Sequence, residues 1–218
     1  MIPKEAFSEI LSELKRQPIS ENKYRNQSGE GRSQAFGVVG KRSLPDDYSR
    51  QNWMRPYLFK LLLDFGNQYV RDISWNAITV NQNYRANKHR DKNNDGKSFL
   101  VAFGDYQGGN LKILEGDLSG SHDIAYKPIV ADFSKMYHEV EEFTGERYSL
   151  VFYKYKSKRT VPLPPCSVRL VDKKWVFFRG EQAITRKDGL PHPLKGRKKS
   201  EFTFSRETRP EGYLVEFK

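Results

Sequence analysis

The sequence predicts an α+β chain, a β-sandwich or barrel backed by helices. Two segments near the N-terminus repeat apolar residues at helical spacing, and from Trp75 onward the pattern shortens to brief alternating β runs. Apolar residues make up 37% of the 218 and aromatics 13%, which suits a β-rich core of Phe and Tyr.

Residues 4–17 carry Phe7, Ile10, Leu11 and Leu14 with Glu and Lys between them, an amphipathic helix lying on a core. Residues 20–52 are polar and studded with glycine, with no steady period. They are expected as a long loop around a short strand at Ala35–Val39, carrying Arg25, Arg32, Lys41 and Arg42. A second helix spans 54–72 through Met54, Leu58, Leu61, Leu62, Phe65 and Tyr69, with Pro56 in its first turn. Strands are expected at 75–83, 98–103, 110–114, 124–130, 136–141 and 147–156. Between them lie turn signals such as Asn93-Asn94-Asp95-Gly96, Gly108-Gly109 and Thr144-Gly145. Past Pro162, Pro164 and Pro165 comes a smaller set at 167–171, 174–178, 201–204 and 213–217. The organisation predicted is therefore 1–74, helices and a polar loop supporting the core; 75–158, the β core; and 159–218, a small basic β-rich extension.

No apolar run approaches the ~20 residues that cross a bilayer, and the N-terminus lacks the apolar stretch of a secretory signal. The single cysteine, Cys166, allows no internal disulfide and is expected as an inert thiol in a Pro-rich loop of a soluble, intracellular monomer. The net charge of +11 is unevenly spread. Residues 1–153 hold 21 basic and 20 acidic side chains, whereas 154–218 hold 17 basic and 7 acidic. A basic block beside a nearly neutral body suits a polyanion such as nucleic acid, and equally a solubilising face.

Chemistry concentrates in His89-Arg90-Asp91, with His138 beyond it and Arg147 and Ser149 after that. Two histidines and one carboxylate are the donor set of non-haem Fe(II) oxygenases, which leaves one side of the metal open. Side chains two apart on a strand share a face, so His89 and Asp91 can reach one ion. By the same rule Arg147 and Ser149 can reach one carboxylate, the first through its guanidinium fork and the second through its hydroxyl. Asn81 and Asn83 repeat the spacing upstream. They either bond the end of a co-substrate that chelates the metal or simply begin a loop. His122, in a polar turn, and His192, between prolines, are read as non-ligands; Phe133 is read as core and Asp132 as a strand end.

The stretch from Thr79 to Tyr155 resembles the double-stranded β-helix (jelly-roll) core of Fe(II)/2-oxoglutarate-dependent dioxygenases. The likeness runs through His89-Arg90-Asp91-Lys92-Asn93-Asn94, Phe103-Gly104-Asp105-Tyr106-Gln107-Gly108-Gly109-Asn110-Leu111, Tyr137-His138-Glu139-Val140 and Gly145-Glu146-Arg147-Tyr148-Ser149-Leu150. Within that superfamily the His-Arg-Asp-Lys-Asn run and the glycine turn resemble the ten-eleven-translocation and base-J-binding branch, which oxidises the 5-methyl group of pyrimidines in nucleic acid. The resemblance implies that His89, Asp91 and His138 bind iron. It implies that Arg147, helped by Ser149, pairs with the distal carboxylate of 2-oxoglutarate, and that dioxygen is consumed, with ascorbate a candidate reductant. It further implies a nucleic-acid partner, DNA before RNA, for which the basic Arg25–Arg42 loop and Lys195–Lys199 are candidate backbone contacts. Arg85 and Lys88 either guide phosphate or are exposed strand-end charges, and Phe36, Tyr84 and Tyr106 either stack on a base or pack in the core. Two alternatives stay open: a prolyl or lysyl hydroxylase of proteins, and a catalytically silent nucleic-acid-binding module.

Overall fold

In the computed structural model, which describes residues 1–19, 29–41, 44–157, 159 and 161–184, the first helical segment begins as a 3-10 turn at Lys4–Phe7 and continues as α1 (Ser8–Arg16). The second divides at Arg55 into α2 (Gln51–Met54) and α3 (Pro56–Tyr69), with Pro56 at the first helical position, where no amide donor is needed. Strands follow as β1 (Gly29–Lys41), β2 (Leu44–Tyr48), β3 (Ala77–Ala86), β4 (Ser98–Gly108), β5 (Leu111–Ile113) and β6 (Gly120–His122). They continue as β7 (Ile129–Ala131), β8 (His138–Val140), β9 (Phe143–Tyr153), β10 (Cys166–Val171), β11 (Lys174–Arg179) and β12 (Gln182–Ile184). The strands expected at 201–204 and 213–217, the Lys195–Lys199 run, His192, Arg25 and Arg42 lie outside the described residues.

Two antiparallel sheets form the double-stranded β-helix, a six-stranded one ordered β2-β1-β3-β9-β4-β7 and a three-stranded one ordered β6-β5-β8. Strand alternation gives the large sheet two different faces. Ile78, Val80, Val101, Phe103, Leu150 and Phe152 turn outward and pack against Phe7, Leu58, Leu62 and Phe65 of the helical segments. Each such side chain, fully buried, contributes about 1.5–3 kcal/mol. On the inner face Leu100 and Ala102 meet Leu111, Ile113, Ile124 and Phe133. Thr79 and Asn81 of β3 and Arg147 and Ser149 of β9 are among the residues that line the interior beside this apolar cluster, so polar groups face the part that it leaves open.

Residues 29–41, expected mostly as loop, are instead a strand of 13 residues. Glycine disguises its period. At Gly31 and Gly37 φ is +111° and +76°, and a Cβ would lie 2.0 Å from the Asn83 carbonyl oxygen and 2.3 Å from that of Asn76. A bulge between Glu30 and Arg32 shifts the register as well. Thus β1 pairs with β3 and extends the large sheet before residue 75. The strands β10, β11 and β12 form a separate antiparallel meander that joins the same core through Val168, Phe177 and Ile184. Cys166 opens β10 instead of lying in the loop before it. Burial pushes its thiol up to about 12.

Candidate active site

Between the sheets lies a cavity of about 820 Å³. His89, just after β3, and His138, at the start of β8, face each other through reciprocal backbone hydrogen bonds of 3.0 Å each. Their rings stand 4.3 Å apart between centroids, and Asp91 Oδ1 lies 3.6 Å from His89 Nε2. The potential ligand atoms of His89, Asp91 and His138 all fall within 4.8 Å of one another, so the three can hold a metal ion.

Neighbouring groups orient each donor. The Nδ1–H of His89 donates to the Asn87 carbonyl at 2.6 Å, and that of His138 to the Met136 carbonyl at 3.1 Å. Both Nε2 lone pairs are thereby left for a metal, the usual outer-shell arrangement of ligating histidines. Burial lowers the basicity of His138, against the pull of the Asp91 carboxylate, and favours the neutral, ligating ring. Asn94 donates through Nδ2 to Asp91 Oδ2 at 3.3 Å and to Ser98 Oγ at 3.0 Å, and the Asp91 amide donates to the Phe133 carbonyl at 2.9 Å.

On the opposing β9, Arg147 is only 2% exposed, and its Nε and Nη2 have no hydrogen-bond partner. The Tyr106 and Phe143 rings lie with their centroids 5.5 Å from its Cζ. Burial pulls its pKa down, only partly offset by the Tyr106 hydroxyl. Leaving buried donors unpaired costs about 1–3 kcal/mol, more for a charged group, so the guanidinium is poised for a carboxylate. Gly109 makes room for it: at φ +68° a Cβ there would sit 2.9 Å from Arg147 Cδ and Nε. Ser149 Oγ accepts from Asn81 Nδ2 at 3.0 Å, and both residues line the cavity beside Arg147.

The structure therefore brings together His89, Asp91, His138, Arg147, Ser149 and Asn81 around one cavity. Asn83 is not among its lining residues. Its backbone turns left-handed (φ 49°), and its Oδ1 accepts from the Arg147 amide at 2.8 Å, which makes it a brace behind the site. Phe36 is fully buried against Phe59 and has no free face for a base, whereas Tyr84 lines the cavity and Tyr106 flanks Arg147. Arg85 is paired with Glu142 at 3.0 Å, and His122 Nε2 is bonded to the Leu118 carbonyl at 2.7 Å, apart from the metal-binding group. Sequence reasoning missed the supporting roles of Asn94, Tyr106 and Gly109. Their signal was proximity to the Asp91 and Gly-Gly motifs.

No protein-family model matches the chain, and no curated protein matches it. Solved structures do. NgTET1 in complex with 5mC DNA shares 16% identity at a TM-score of 0.51, over 74% of this chain and 72% of that one. A Pseudomonas putida prolyl-4-hydroxylase shares 16% over 71% of this chain and 88% of that one, with a TM-score of 0.44. A Burkholderia pseudomallei oxidoreductase of the 2OG-Fe(II) oxygenase family shares 15% over 70% and 82%, with a TM-score of 0.46. The likeness to NgTET1 is one of fold, and it agrees with the two facing antiparallel sheets.

Proposed function

We propose that this protein is an Fe(II)- and 2-oxoglutarate-dependent dioxygenase that hydroxylates a nucleic-acid base, the 5-methyl group of a pyrimidine in DNA. One observation carries the enzyme reading: His89, Asp91 and His138 converge in the cavity where a buried Arg147 has no acidic partner among the described residues. The donor set suits iron, since two imidazoles and a carboxylate leave adjacent positions open. The unsatisfied guanidinium suits the distal carboxylate of 2-oxoglutarate, with the Ser149 hydroxyl as a second donor and Asn81 holding that serine. When bound, iron, 2-oxoglutarate and dioxygen supply the oxidation: the co-substrate leaves as succinate and carbon dioxide, and one oxygen atom enters a substrate C–H bond. The chain itself orients the donors, neutralises the co-substrate and excludes water.

Four features support a base as substrate. Beyond the metal-binding group the cavity is lined by Tyr84, Tyr153, Tyr155 and Asn93, planar and amide groups suited to a heterocycle. Its volume, about 820 Å³, falls in the range of small-ligand pockets, so a base can enter once it leaves the stack. The basic excess past residue 153 suits a polyanion, and NgTET1 itself was solved with 5mC DNA. The test is incubation with Fe(II), 2-oxoglutarate and ascorbate, with methylated DNA, unmethylated DNA or peptides, followed by succinate assay and nucleoside mass spectrometry. An oxidised methylpyrimidine with DNA-stimulated succinate is expected. Stimulation by peptide alone moves the reading to a protein hydroxylase, and no succinate under any condition ends it.

A further inference from the structure

We infer that Glu115 is a positioning residue of the metal site, a clasp between the two segments that carry its ligands. The inference rests on the reading of His89, Asp91 and His138 as those ligands. The two segments meet through one isolated bridge, the reciprocal backbone hydrogen bonds of His89 and His138. The next residues along, Arg90 and Tyr137, continue the pairing with their side chains: Arg90 Cζ lies 4.1 Å from the centroid of the Tyr137 ring. Glu115 closes it. Its Oε1 accepts from the Tyr137 amide at 2.7 Å and from Arg90 Nε and Nη2 at 3.1 and 2.7 Å. One carboxylate oxygen thus ties the residue between His89 and Asp91 to the residue just before His138.

The turn that carries Glu115 is itself anchored to the His138 segment. It follows β5, which pairs with β8 and sets Ile113 opposite His138. The Leu114 amide donates to the Tyr137 carbonyl at 2.9 Å. At Gly116 φ is +80°, and a Cβ would lie 3.4 Å from Met136 Sδ. The turn therefore lies against the residue whose carbonyl orients the His138 ring. The Tyr137 amide and then the Arg90 guanidinium hold the Glu115 carboxyl below its ordinary range, with Lys88 adding to the positive field. Both Glu115 and Arg90 are partly exposed, and such an ion pair adds little to folding. Its effect on the site is larger. Without the clasp a metal must itself order two segments, and that ordering is subtracted from its affinity.

The test titrates Co(II), a redox-stable stand-in for Fe(II), into the full chain and follows its visible absorption. Glu115→Ala should raise the Kd for Co(II) about 10–100-fold, the usual cost of losing a group that orients metal ligands. Arg90→Met should raise it as well, and the double variant should lose no more than the worse single one, because both remove the same tie. Glu115→Gln, which keeps an acceptor for the Tyr137 amide, should fall between Glu115→Ala and the wild type. The Tm of metal-free Glu115→Ala should stay within about 2–4 °C of the wild type, since an exposed ion pair is all that folding loses. Lys112→Gln breaks the 3.5 Å pair with Glu139 across β5 and β8 and serves as the control, with a wild-type Kd. An unchanged Kd in Glu115→Ala, or single losses that multiply in the double variant, overturn the clasp. A metal-free Tm that falls further overturns it too, because Glu115 then serves folding at large. A wild-type chain that binds no Co(II) overturns the ligand set and the clasp together. The expected order of affinities in a chain that releases no succinate upholds the clasp and leaves the dioxygenase reading to fall alone.

Discussion

Arg147 is the residue where folding and the proposed function conflict most directly. It keeps a charge in the protein interior with Nε and Nη2 unbonded, a choice that costs stability unless a carboxylate arrives. Arg147→Met, similar in volume and without the charge, should raise the stability of the ligand-free protein by about 1–3 kcal/mol, several degrees in Tm for a chain of this size. The same variant should lose the stabilisation that 2-oxoglutarate confers on the wild type, about 2.7 kcal/mol at a hundredfold excess over Kd. Thermal unfolding with and without 2-oxoglutarate reads both effects, and a variant that is destabilised or still shifted by the ligand contradicts this assignment. Much of this site was legible at the level of single residues, because two-residue spacing on a strand puts His89 with Asp91 and Arg147 with Ser149 on one face. The same rule does not carry Asn83 into the cavity with Asn81, since nothing in the spacing reveals a left-handed φ of 49° at that residue.

At the scale of elements, the short turn between β4 and β5 shapes the site as much as the strands do. Gly109→Ala would place a methyl group 2.9 Å from the Arg147 side chain in a backbone conformation at φ +68° that favours glycine. It should cost about 1–2 kcal/mol and weaken 2-oxoglutarate binding, whereas Gly96→Ala, also at positive φ but in open space, should show only the stability cost. Isothermal titration of the two variants separates the effects. The side-chain contact between Tyr48, at the end of β2, and Cys166, at the start of β10, carries a pH signature. Burial raises the pKa of Cys166 to about 12 and that of Tyr48 above its ordinary range, so both groups hold their protons more tightly when folded. Their contribution is complete below the ordinary thiol value of about 8.5 and is lost as pH rises toward 12, by up to about 1.4 kcal/mol per pH unit for one group. Unfolding midpoints should fall between pH 9 and 11, less steeply in Cys166→Ala, and the native thiol should react with disulfide reagents at pH 8 at least about a hundredfold more slowly than the unfolded one. The helices and most core strands were readable from period alone. The strand β1 was not, because its bulge and its glycines at close approach break the alternation that marks a strand.

Across the whole molecule, the fold class was legible because outward residues of β3, β4 and β9 alternate with inward ones, whereas the pairing of strands was not. Asn81 and Ser149 are hydrogen-bonded across 68 residues of sequence, and no local pattern announces such a partner. Charge is organised on the same scale: residues 1–153 are nearly balanced, and the chain past them carries the excess. Under the proposed function, a near-neutral stretch that carries the metal-binding group and a cationic stretch after it in sequence let affinity for a polyanion vary without altering the candidate ligands. If the excess serves binding and not solubility, replacing Lys195, Arg197, Lys198 and Lys199 by Gln in the full chain should flatten the salt dependence of DNA binding. The slope should fall by as much as about 3, since each phosphate neutralised contributes about 0.7–0.9, and the loss should be the same for methylated and unmethylated duplexes. Selectivity for a methylated base should then persist at low salt, because backbone contacts carry no sequence information and the cavity does the discriminating. Titration of both duplexes at three salt concentrations decides the matter. An unchanged slope assigns the C-terminal charge to solvation, and a loss confined to methylated DNA assigns base recognition to the basic run instead of the cavity.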